Sequence, residues 1–167
     1  MIRTVRAAVL AGLLAAVPAV AEEAHGHADG DSHHEAEAGG LRAVHAWTRA
    51  TSDTTALIFV DIENGSDKTV SIVGAEAGWA ETVELVGFQL KDGEPAWVAL
   101  PPVPVKAGTE MVLSPDGLAL RAIGVKQPLG AGEERNIEIE FDTGHLDMVL
   151  QVEAADARAH SHAGHQH

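Results

Sequence analysis

Asn136-Ile137-Glu138-Ile139-Glu140-Phe141 alternates apolar and polar residues without a break, and Asp142-Thr143-Gly144 follows with turn chemistry. Leu146-Asp147-Met148-Val149-Leu150-Gln151-Val152 then resumes the alternation. A period of two places Ile137, Ile139 and Phe141 on one face of the first strand. Leu146, Met148, Leu150 and Val152 share one face of the second. The stretch therefore predicts a β-hairpin with one buried side, and Met148 is expected in the core.

The same signal extends toward the N-terminus. In residues 56–63, Ile58, Val60 and Ile62 form one apolar face, and Asn64-Gly65-Ser66-Asp67 supplies a turn. Residues 70–74, 82–86, 96–100 and 110–113 read as further strands, with Pro101, Pro102 and Pro104 punctuating the space between the last two. About eight or nine short strands with Gly/Pro turns, and no sustained helical period, indicate an all-β fold, an antiparallel β-sandwich or barrel.

Composition bounds the function. The chain has 167 residues, 25 Asp+Glu against 11 Lys+Arg, and a net charge of −14. That balance argues against nucleic acid or an anionic membrane surface as partner. Cysteine is absent, which excludes disulfides, thiolate metal sites and a cysteine nucleophile. Residues 1–21 carry Arg3 and Arg6, an apolar run, and Ala19-Val20-Ala21 as a small-x-small cleavage site. This is the pattern of a signal peptide and predicts export to a periplasm, with no lipid-bearing cysteine and no membrane anchor. Residues 22–40 contain no large apolar side chain and are expected to be disordered. Residues 41–157 form the domain, and residues 158–167 a second histidine-rich tail.

Several ordered blocks of the domain resemble the periplasmic copper-chaperone family PCu(A)C. They are Ala46-Trp47-Thr48-Arg49-Ala50-Thr51, Ile62-Glu63-Asn64-Gly65, Val83-Glu84-Leu85, Lys91-Asp92-Gly93 and Val105-Lys106-Ala107-Gly108. Gly124-Val125-Lys126-Gln127-Pro128-Leu129 is the most distinctive. The resemblance implies a cupredoxin-like, Greek-key β-sandwich and a copper chaperone's role. It also implies a Cu(I) site of two His and two Met, whose spacing falls here on Val86, Trp97, Ala119 and Arg121. Val and Ala carry no donor, indole only donates hydrogen, and Arg stays protonated, so that site is not carried over.

Histidine remains as the metal-binding chemistry. Eight of the ten lie in the terminal segments, as His25 and His27, His33 and His34, His160 and His162, and His165 and His167. Imidazole suits Cu²⁺ and Zn²⁺, and thioether sulfur is missing from both tails. These eight are the expected metal ligands, with copper as Cu²⁺ or else zinc as the bound ion and no organic cofactor. Ligand imidazoles must be neutral, so affinity is expected to fall as pH drops through roughly 6.5. His45 reads as a hydrogen-bonded strand residue in phase with Leu41, Ala43 and Trp47. His145 reads as a surface residue beside Asp147.

No hydrolase, metalloprotease or phosphate-binding motif is present, so the chain is not expected to be an enzyme. The reading is a periplasmic metal-binding protein that carries or buffers copper and passes it to a metalloprotein or transporter. A zinc buffer is the near alternative. A metal-independent interaction module, using Trp79, Phe88 and Trp97, is the distant one.

Overall fold

The computed structural model describes residues 34–161, so among the eight tail histidines only His34 and His160 lie within the described part. Eleven strands follow one another: β1 Glu35–Ala38, β2 Leu41–Arg49, β3 Thr55–Asn64, β4 Val70–Glu76, β5 Thr82–Lys91 and β6 Glu94–Ala99. Then come β7 Val103–Val105, β8 Thr109–Leu113, β9 Leu118–Ile123, β10 Glu134–Phe141 and β11 Gly144–Glu153. Among the described residues there is no α-helix.

Hydrogen bonding runs from β2 through β11, β10, β4, β5, β9 and β3 and returns to β2, so the sandwich closes at both edges. Closure removes the exposed edges that an open sheet would present to other chains. Every pairing is antiparallel except β11 with β2. The hairpin of β10 and β11 pairs Phe141 with Gly144 and Ile137 with Met148, in the register its alternation predicts.

Inward residues from all seven strands of this circuit build the core. Ile58, Phe59, Ile62, Ile72, Leu120, Ile139 and Leu150 are fully enclosed, and Met148 is buried with them. Each such side chain contributes about 1.5–3 kcal/mol on burial. At the end of β3 the buried Asn64 amide donates to the Lys68 and Val105 carbonyls, while its own oxygen accepts from Ser66 N–H. The turn read at residues 64–67 is thus an Asx turn locked into the core.

Two features depart from the sequence reading. Residues 35–38, expected to be disordered, form β1 and pair residue for residue with β2, from Glu35 opposite Val44 to Ala38 opposite Leu41. In addition, β2 carries a bulge between Val44 and Trp47. His45 sits in it at φ 55°, a left-handed conformation rare for a residue with a side chain. The extra residue breaks the period of two. Ala46 turns into the core and His45 turns out, half exposed and out of phase with Leu41, Ala43 and Trp47.

Candidate metal centre

The four positions implied by the copper-chaperone resemblance converge in space. Val86 pairs directly with Ala119 across β5 and β9, and both are completely buried beside Trp47 and Phe59. Trp97 of β6 packs against the same cluster. Arg121 donates from Nε to Glu84 Oε1 at 2.9 Å and from Nη1 to the Trp97 carbonyl at 3.0 Å. Apolar packing and a part-buried ion pair occupy the place, and the four side chains offer no metal donor.

Imidazoles gather instead at the bulge of β2. Because Glu35 lies opposite Val44, His34 arrives beside His45. From the other end of the chain, the residues after β11 fold back. Arg49 Nε donates to the Ala157 carbonyl at 2.7 Å, and Ala157 packs against the Trp47 and Phe59 cluster. Glu153, the last residue of β11, accepts from both the backbone N–H and the hydroxyl of Ser161, at 2.9 and 2.8 Å. That holds the neighbouring His160 against β2, with its side chain only 1% exposed.

The His160 ring lies between the other two, with centroids 5.7 Å from His34 and 5.8 Å from His45. Carboxylates flank the group: Asp61 Oδ2 is 3.4 Å from His45 Nδ1, and Glu153 Oε1 is 3.9 Å from His160 Nε2. Imidazole ligands of one tetrahedral ion sit about 2.0–2.1 Å from it, hence about 3.3 Å from one another. The His34 and His160 rings meet edge-on and the His45 and His160 rings are tilted by 36°, so rotation of the side chains would be needed to bring three nitrogens to that spacing. Imidazole is a ligand type that suits a borderline divalent ion, and carboxylates beside such ligands orient the rings and balance the charge.

The segment carrying His34 is fixed electrostatically. Arg42 binds Glu35 of β1 and Glu63 of β3 together. The hydrogen bond from Arg42 holds the Glu35 carboxyl below the usual carboxylate range, and Glu35 in turn raises Arg42.

Two of the eight predicted ligands, His34 and His160, are therefore brought together. His25, His27, His33, His162, His165 and His167 lie outside the described residues. Sequence reasoning treated His45 as a structural residue, since a period count cannot register a bulge. His145 is exposed, as expected, 3.8 Å from Asp147 and 3.7 Å from Glu138.

Residues 41–152 match the family described as "Putative lipoprotein LpqE-like". The chain belongs to the LpqE-like family. A curated relative of this LpqE-like chain, "Putative lipoprotein Lxx21020" of Leifsonia xyli, is 28% identical over 114 residues, covering 68% of this chain and 69% of the relative. Among solved structures, the copper-bound PCuAC domain from PmoF2 superposes with a TM-score of 0.61 at 17% identity, over 72% of this chain and 98% of that domain. The apo PCuAC domain from PmoF1 gives 0.62 at 21% identity, over 72% and 99%. Cu(I)-bound DR1885 from Deinococcus radiodurans gives 0.51 at 23%, over 67% and 77%. The LpqE-like chain thus has the PCuAC fold, without His or Met at the four positions that the copper-chaperone resemblance marks.

Proposed function

We propose that this LpqE-like protein is an exported copper-binding protein that carries or buffers Cu²⁺, and that its imidazoles replace the site of the PCuAC fold. One observation carries the reading: His34 and His160, from opposite ends of the chain, meet His45 on a strained bulge between two carboxylates. The fold supports the copper assignment, since similar domains have been solved with copper bound. The donor set supports the divalent ion, because imidazole and carboxylate lack the soft sulfur that Cu⁺ prefers. His25, His27, His33, His162, His165 and His167 extend the site with exchangeable ligands and pass the ion to a receiving metalloprotein or transporter.

The test is a Cu²⁺ titration of the full chain against the triple variant H34N/H45N/H160N. Asparagine tolerates the left-handed conformation at position 45, so the fold persists. The first equivalent should weaken at least tenfold; an unchanged first equivalent overturns the site. Asp61 and Glu153 favour a second reading, a zinc buffer, since imidazole and carboxylate suit Zn²⁺ as well. The same titration with Zn²⁺ separates them: copper cargo requires Cu²⁺ to outcompete Zn²⁺ by more than the general affinity order imposes on an unselective site.

A further inference from the structure

The outer face of the β10–β11 hairpin carries a charge arrangement that the tail cluster does not explain. Glu76 of β4 lies opposite Glu138 of β10, and Glu138 lies opposite Asp147 of β11. Three carboxylates thus stand in one row across three adjacent strands, and like charges directly opposite one another destabilise a sheet. The row opens onto a groove of about 900 Å³ that Glu81 and Glu140 also line, with no Lys or Arg among its lining residues. One cationic group would relieve the repulsion; Lys126 reaches the groove's edge, where its Nζ donates to the Gly78 carbonyl at 2.8 Å, but among the described residues no Lys or Arg pairs with the three carboxylates.

At one end of this row an imidazole joins the carboxylates. His145 stands two residues before Asp147 on the same face of β11, opposite Glu140. Its Nδ1 is 3.7 Å from Glu138 Oε1, and its Nε2 is 3.8 Å from Asp147 Oδ2. One donor atom from each of Glu138, His145 and Asp147 lies within 4.8 Å of the other two. An ion bonded to nitrogen and oxygen at about 2.0–2.2 Å draws such donors to about 3.3 Å apart. For exposed side chains on a rigid hairpin that is a small rotation.

We propose that Glu138, His145 and Asp147 form a second site for a divalent cation of zinc type, with solvent completing the coordination. It is independent of the imidazole cluster at His45. His145 is the second residue of β11 and Glu153 its last, roughly eight residues and about 26 Å of strand apart. Two carboxylates and one imidazole make it harder in character than the tail cluster, a donor set that Zn²⁺ shares with Cu²⁺.

The experiment follows imidazole resonances of the full chain by NMR as Zn²⁺ is added, with Mg²⁺ as a control for general ionic attraction. His145 should respond to Zn²⁺ in a saturable step separate from that of His45, and should not respond to equal Mg²⁺. In the E138Q/D147N variant its apparent Kd should rise at least tenfold while the His45 response is unchanged. A His145 signal that ignores Zn²⁺, that follows Mg²⁺ equally, or that responds identically in the variant overturns the site. Because His45 is read separately, loss of the tail cluster and loss of this site are distinguishable.

Discussion

The Arg121 guanidinium donates to Glu84 and to the Trp97 carbonyl, and so uses up the polar capacity of the very place where the copper-chaperone resemblance expects a thioether. Beside it Val86 and Ala119 are packed without accessible surface. A metal would have to displace a satisfied ion pair and enter an apolar cluster, both unfavourable. At His45 the balance is reversed. A left-handed residue with a side chain costs about 1–2 kcal/mol over the ordinary conformation, and such strain persists where the surroundings impose it. Glycine at this position removes the penalty, at an unfolded-state entropy cost of roughly 0.5–1 kcal/mol. His45→Gly should therefore leave stability without metal unchanged or raised by up to about 1 kcal/mol, as measured by urea unfolding. The same variant should weaken the first Cu²⁺ equivalent at least tenfold. A clear loss of stability would mean that His45 is retained for packing rather than for its imidazole.

Among the elements, β1 is the one whose presence depends most on charge. Glu35-Ala36-Glu37-Ala38 has no large apolar side chain, so its attachment rests on backbone pairing with β2 and on Arg42. The Glu35 carboxyl is held below its ordinary range, so its contribution to docking is complete above the unfolded-state value and is lost as pH falls through the lowered folded value. Amide hydrogen exchange should show β1 protected near neutral pH and released in acid before the core strands. Arg42→Gln should abolish that difference by lowering the neutral-pH protection of β1 to its acid level; protection of β1 that ignores both acid and this substitution would refute the electrostatic account. The same chemistry explains what could be read in advance. The β10–β11 hairpin was legible because Ile137, Ile139 and Phe141 alternate with polar residues and a turn follows. The strand β1 was not, because nothing in its side chains reports burial. Leu118-Ala119-Leu120-Arg121-Ala122-Ile123 of β9 was also hidden: Ala119, Leu120 and Ala122 are buried on both faces, which erases the alternation. A bulge leaves no mark on a period count, so His45 was placed on the wrong face.

At the scale of the whole molecule, closure of the sheet brings the two ends of the described segment, at His34 and His160, to one place. The parallel pairing of β11 with β2 runs Gln151 beside Trp47 and Glu153 beside Arg49, so the chain leaves the core next to the strand by which it entered. No local pattern encodes that juxtaposition, which is why the sequence shows two histidine-rich ends but not that His34 and His160 meet. It predicts a graded response to shortening. A chain ending after Arg158 keeps the Arg49 bond to the Ala157 carbonyl and the cover over Trp47 and Phe59, and loses His160 and the Ser161 bonds to Glu153. Its stability without metal should fall by about 1–3 kcal/mol, the net worth of a hydrogen bond or two and of the buried His160 ring, while tight Cu²⁺ binding disappears. A chain ending after Glu153 also strips the cover from Trp47 and Phe59 and leaves Arg49 without its acceptor. It should lose about a further 1–3 kcal/mol. Urea unfolding and copper titration of the two shortened chains separate the outcomes. If the chain ending after Arg158 still binds the first Cu²⁺ equivalent as tightly as the full chain, the meeting of the two ends has no part in metal capture.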